Sequence, residues 1–106
     1  MSRKRNRRAQ CPAGLNEEAR RLWGHVLEGW TLDDPGLALL RNACLALTRL
    51  REVQAALRRD GLITKDRFGQ TRAHPLLAAE RDCASSFRHD MKALHLDIDI
   101  PNAGLR

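Results

Sequence analysis

Between Leu37 and Asp60 the chain runs for two dozen residues without a single Gly or Pro. Start and stop signals bracket this run. Asp34 is placed to cap a helix, and Pro35 suits the first turn, where its missing N–H costs nothing. The helix is expected to reach about Arg59, with Gly61 as its stop. A helix of ~25 residues is nearly 40 Å long. In a chain of 106 residues, such a rod must organise everything else.

The rod is apolar on two sides. One stripe is Leu39, Ala43, Ala46, Leu50, Val53 and Leu57; the other is Leu37, Leu40, Cys44 and Leu47. One stripe serves a small helical core, and a second needs another surface to cover it. Two readings stay open. The helix is sandwiched inside a monomer, or Leu37, Leu40, Cys44 and Leu47 face a neighbouring subunit.

The rest of the chain supplies partners. Asn16 is an N-cap for a short helix from about Glu17 to Gly29, and Glu17 and Glu18 suit its positive end. Ala19, Leu22, Trp23, Val26 and Trp30 recur at helical spacing. Two Trp on such a stripe read as core rather than as a stacking platform for bases. His25 falls on the opposite side. Beyond Gly61, Leu62 to Thr64 and Gln70 to Arg72 flank a polar turn with Gly69, so a small β-hairpin or an extended loop is expected. His74-Pro75 opens a third helix, with an apolar stripe of Leu76, Ala79, Cys83, Phe87, Met91 and Leu94. Glu80, Asp82, Asp90, Arg81, Arg88 and Lys92 read as a solvated mixed-charge face. The expectation is mainly α: short helix, long central helix and C-terminal helix in one domain over 15–96. A basic arm (1–14) precedes it and an irregular tail (97–106) follows.

Composition agrees. Ala, Leu, Arg and Glu dominate and Tyr is absent, a helix-forming mixture with few strand formers. One domain of this size hides only ~60–70% of the surface of its unfolded chain, so association would add useful burial. The formal charge is +6, and its distribution matters more than its size. Arg3, Lys4, Arg5, Arg7 and Arg8 crowd the first ten residues, while the remainder has 14 basic and 13 acidic residues. The basicity therefore belongs mostly to an arm suited to a polyanion, nucleic acid above all. Such arms carry affinity rather than base reading. Arg outnumbers Lys sixteen to three; this fits GC-rich coding or phosphate recognition by a planar fork.

Little in the chain suggests catalysis. Cys11, Cys44 and Cys83 are odd in number, and their spacing matches no metal motif, which points to a reducing cytoplasmic setting. His25, His74, His89 and His95 share no metal-binding face. Asp97 and Asp99 form a D-x-D pair without a third carboxylate, a weak Mg²⁺ signal. Ser85-Ser86 has no base nearby, and no Gly-rich phosphate loop occurs. No apolar run reaches the ~20 residues of a membrane span, and the basic start has no apolar segment behind it to make a signal peptide. No cofactor and no enzymatic activity are expected.

The order of the pieces carries a resemblance. A basic arm leads to N-E-E-A-R-R-L-W (Asn16 to Trp23). A long helix then ends in R-R-D-G-L (Arg58 to Leu62), and D-R-F-G-Q-T-R-A-H-P (Asp66 to Pro75) leads into the last helix. Over about residues 12 to 101 this resembles the short type of tailed-phage terminase small subunit. The family usually closes its last helix with L-G-L and a nearby Pro; this chain departs from that, with Leu94-His95-Leu96 in its place and Pro101 later. Residues 1–16 are too short for the N-terminal helix-turn-helix of better-known members. The resemblance implies a non-catalytic DNA-packaging protein in the cytoplasm of an infected bacterial host. It would form a ring-like homo-oligomer, bind double-stranded phage DNA at packaging initiation and deliver it to the large ATPase/nuclease subunit. The alternative is a generic small basic helical module, monomeric or dimeric, that binds nucleic acid or regulates.

Overall fold

The structure, a computed structural model, describes residues 9–96. Three helices and one hairpin follow in order: α1 Glu17–Gly29, α2 Asp34–Asp60, β1 Ile63–Lys65, β2 Thr71–Ala73 and α3 Leu76–Leu94. The protein is mainly helical, with a two-stranded antiparallel hairpin before the last helix. No helix among the described residues is long and apolar enough to cross a membrane.

Each helix starts for a local reason. Asn16 accepts the Ala19 N–H at 2.8 Å and caps α1. Asp33, not Asp34, caps α2: its Oδ1 accepts the Gly36 N–H at 2.9 Å. Asp34 is the first helical residue, one place from the expected cap, because Asp33 alone has the extended backbone that aims a cap back at the helix. Gly36 is buried there, and a Cβ would stand 3.1 Å from Asp33 and 3.2 Å from Leu32. Pro75 has no side-chain acceptor for α3; His74 Nδ1 accepts the Leu76 N–H at 3.0 Å instead.

The long helix is central. Its 27 residues are covered by α1 on one side and, more extensively, by α3 on another. Leu40, Cys44, Leu47, Leu50 and Leu57 have essentially no exposed surface. Three of the four residues of the second stripe are thus closed within one chain, and Leu37 is half-buried. Burying each Leu contributes roughly 1.5–3 kcal/mol. On α3 the innermost line is Glu80, Ala84, Phe87 and Met91. Phe87 and Met91 belong to the apolar stripe read from the sequence; in the first half of the helix Glu80 and Ala84 take the inner line, and Ala79 and Cys83 beside them are half-buried, as is Leu94. Glu80 is 1% exposed and does not belong to a solvated face. Among the described residues, every buried side-chain nitrogen or oxygen has a hydrogen-bond partner.

Polar contacts fix how α1 lies on α2. Thr48 Oγ1 accepts the Asn16 N–H at 3.1 Å and donates to the Cys44 carbonyl at 3.0 Å. Cys44 Sγ lies 3.5 Å from the Ala19 carbonyl. Arg51 grips Glu18 through two nitrogens, at 2.8 and 3.2 Å, and also donates to Gln54. Trp23 is core, but Trp30 is not on the helical stripe. It lies past the end of α1 with extended backbone, half-buried, and its ring meets His25 edge-on at 6.1 Å. Once the helix ends, the spacing that put His25 and Trp30 on opposite sides no longer applies. Residues 9–14 carry no helix or strand, and Ala9 packs against the core.

Candidate nucleic-acid interface

Two groups of residues stand out in the sequence, and their structural positions differ. The arm cations Arg3, Lys4, Arg5, Arg7 and Arg8 lie outside the described residues, as do Asp97 and Asp99. The apolar group Leu37, Leu40, Cys44 and Leu47 is described, and three of its members are closed inside the monomer. Leu40, Cys44 and Leu47 cannot meet a neighbouring subunit without opening the core; Leu37 alone keeps some surface. The sandwiched reading of α2 is the one this fold adopts. Burial also pushes the Cys44 thiol up to about 12, with a smaller contribution from Cys11. That makes it a small hydrophobe rather than a nucleophile.

The other candidates do not converge. Among the described residues no group of three His, Cys, Asp or Glu stands close enough to hold a metal ion. His25, His89 and His95 are exposed on separate parts of the surface, and Ser85 and Ser86 are exposed on α3. His74 is buried and serves the fold. Since its Nδ1 accepts the Leu76 N–H, its ring proton sits on Nε2, which donates to Asp60 Oδ2 at 3.1 Å. An open groove of about 410 Å³ between α2 and α3 is edged by Leu45, Arg49, Asp82, Cys83 and Asp90. Its walls carry both charges and no buried catalytic group.

The remaining feature is the hairpin. Strands of three residues pair antiparallel, with Ile63 opposite Ala73, Thr64 opposite Arg72 and Lys65 opposite Thr71. A lone two-stranded hairpin is marginal in water, and this one is held at both ends. At its base Gly61, with φ +83°, ends α2 and turns the chain out. The Asp60–His74 contact closes the same base, and the His74 N–H donates to the Leu62 carbonyl at 2.8 Å. At the tip Asp66 organises the loop: Oδ1 accepts the Phe68 and Gln70 N–H groups at 2.9 and 3.0 Å. Its Oδ2 accepts Arg72 Nε at 2.8 Å. Gly69, with φ +80°, allows the return. The Arg72 guanidinium and the Gln70 N–H hold the Asp66 carboxyl below its ordinary range. His74 and Arg59 do the same for Asp60.

These contacts leave a distinctive surface. The three large hydrophobic side chains most exposed among the described residues are all here: Leu62 at 46%, Ile63 at 64% and Phe68 at 75%. Five cations (Arg58, Arg59, Lys65, Arg67 and Arg72) lie between positions 58 and 72, against Asp60 and Asp66. Both acids are consumed inside the hairpin. Sequence reading placed the hairpin but did not single out Phe68. The available signal was an aromatic between Arg67 and Gly69 in a loop whose short strands have no layer to bury it. No family model, no curated protein and no solved structure matches this chain.

Proposed function

We propose that the chain is the small subunit of a tailed-phage DNA-packaging terminase. In this reading it is a non-catalytic protein that binds double-stranded phage DNA at packaging initiation as a ring-like homo-oligomer. It would deliver that DNA to the large ATPase/nuclease subunit in the cytoplasm of the infected host. The arm cations supply the bulk of the affinity.

The observation that carries the reading is at His95. Its φ is +54°, left-handed, where it ends α3. That conformation favours glycine, and position 95 is where the resembled family carries the glycine of L-G-L. The other residues behind the resemblance also stand at joints of the fold. Asn16 caps α1, Glu18 ties α1 to α2, and Asp60, Asp66 and His74 build the hairpin.

A second reading has an observation of its own. With Leu40, Cys44 and Leu47 buried in one chain, the second stripe of α2 no longer calls for a neighbour. That favours a small basic nucleic-acid-binding module that acts as a monomer or dimer. The native mass of the purified chain, by light scattering behind size exclusion with and without duplex DNA, separates the two. A closed assembly of many subunits supports the terminase reading. A monomer or dimer under both conditions sinks it.

A further inference from the structure

The geometry points to the β1–β2 hairpin as a second contact with duplex DNA, separate from the arm, with Phe68 leading into a groove and Lys65 and Arg67 on the phosphates. This inference rests on the proposed DNA-binding role and adds to it a specific surface.

Four observations combine. First, the hairpin stands apart: β1 and β2 pack chiefly on each other, and most of their side chains are exposed. Second, its two faces differ. Side chains alternate along a strand, so Ile63 and Lys65 share one face with Thr71 and Ala73, while Thr64 and Arg72 share the other. Arg72 is tied to Asp66 at 2.8 Å. No carboxylate among the described residues lies within ion-pair distance of Lys65 or Arg67, and Lys65 shares its face with the exposed Ile63.

Third, the tip is an aromatic–guanidinium pair: the Arg67 guanidinium lies 5.2 Å from the centre of the Phe68 ring. A ring this exposed is no part of a core. Together the two offer an apolar face for a base or sugar and a cation for the adjoining phosphate. Fourth, the loop is set in advance. Asp66 holds the Phe68 and Gln70 amides, and Gly69 takes the positive φ, so little order is left to impose on binding. A two-stranded ribbon fits the major groove of B-DNA, ~12 Å wide, and an apolar side chain at a tip can also wedge into the minor groove. The polyanion is favoured over a protein or membrane partner by charge, because the two local acids are already paired with Arg59, Arg72 and His74, and Lys65 and Arg67 have no carboxylate partner among the described residues.

The test uses the full chain and a fluorescein-labelled random-sequence duplex, with anisotropy read over a salt series. Three variants are compared: Phe68→Ala, the double substitution Lys65→Ala with Arg67→Ala, and an arm variant with Arg3, Lys4, Arg5, Arg7 and Arg8 changed to Ala. Unchanged thermal melts by circular dichroism establish that each is folded. Phe68→Ala is expected to weaken binding about five-fold or more. The double variant is expected to lower the magnitude of the salt slope by about two. If both hairpin variants bind like the parent while the arm variant binds weakly, the inference is overturned and the DNA-binding reading stands. If the parent chain shows no salt-dependent binding at low salt, both fail. If Phe68→Ala alters the native mass but not DNA affinity, the hairpin is a protein contact and the inference is overturned.

Discussion

The seam between α2 and α3 and the hairpin that joins them are built on opposite terms. In the seam, Leu40, Leu47, Leu50, Leu57 and Phe87 are closed from water, and position is set by volume and shape. In the hairpin almost nothing is buried, and position is set by hydrogen bonds through Asp60, Asp66 and His74. A large apolar side chain therefore has opposite meanings in the two regions. Phe87 holds the protein together; Phe68, 75% exposed, contributes little to that and is available to a partner. On the proposed reading stability and recognition fall to different segments, so substitutions should separate them.

The largest effect is expected from Leu40→Arg. An unpaired charge at a position with no exposed surface costs several kcal/mol, a major part of the ~5–15 kcal/mol that a domain has. Circular dichroism should show loss of cooperative unfolding. A stably folded variant that merely fails to associate would break the comparison, since Leu40 would then belong to a subunit interface.

Thiol labelling reads the same contrast without substitution. Cys11 is exposed and should be modified readily in the native protein. The Cys44 thiol, raised from 9.0 to about 12 by burial, holds about a thousand-fold less thiolate near neutral pH and should react only on unfolding. The linkage has a sign. A raised thiol value means that the folded state favours the neutral form. Its contribution is intact below 9.0 and is lost as pH climbs from 9.0 toward 12. Alkaline melts should show declining stability in that window, and Cys44→Ala should flatten the decline.

Phe87→Ala should cost about 3–5 kcal/mol, measured by urea unfolding, because it leaves a cavity between two helices. Asp66→Ala should cost far less globally, under about 1 kcal/mol, since it loosens a loop on the surface rather than the core. Its effect is local: faster amide exchange at Phe68 and Gln70. The carboxyl is held below its ordinary value of 3.8, chiefly by Arg72. The loop should therefore keep its amide protection down to that pH and lose it as pH falls through the lowered value. Equal protection in Asp66→Ala would show that the strands alone hold the tip.

The smallest effect has the opposite sign. His95 is a non-glycine residue at φ +54°, so His95→Gly should stabilise the chain by roughly 0.5–1 kcal/mol, because glycine takes that backbone without strain. A loss of melting temperature would count against the left-handed end of α3 and against the parallel with the L-G-L helix end.

Much of this was legible in the sequence, and for local reasons. The bounds of the long helix follow from the Pro35 and Gly61 signals, the first cap from Asn16, and the hairpin from a polar loop with Gly69 between two short runs. Each depends on chemistry within a few residues, which a linear reading contains. The readings that shifted depended on what lies across space. Asp33 displaced Asp34 as cap by one residue. Trp30 left the helical stripe because the helix ended first. Glu80 looked like a surface charge and is buried.

By itself, the sequence determined how many helices there are, near which residues they begin and end, that α2 is apolar on two sides, and that positive charge gathers at the arm. These are matters of backbone propensity and periodicity, settled by near neighbours. Only the tertiary structure decided what covers the second stripe of α2. It placed α1 and α3 against Leu40, Cys44 and Leu47, so that these three are closed within one chain. It also decided that Phe68 remains in water. Periodicity says which residues must be hidden, but only packing decides what hides them, because apolar burial is non-directional and any adjoining apolar surface can satisfy it.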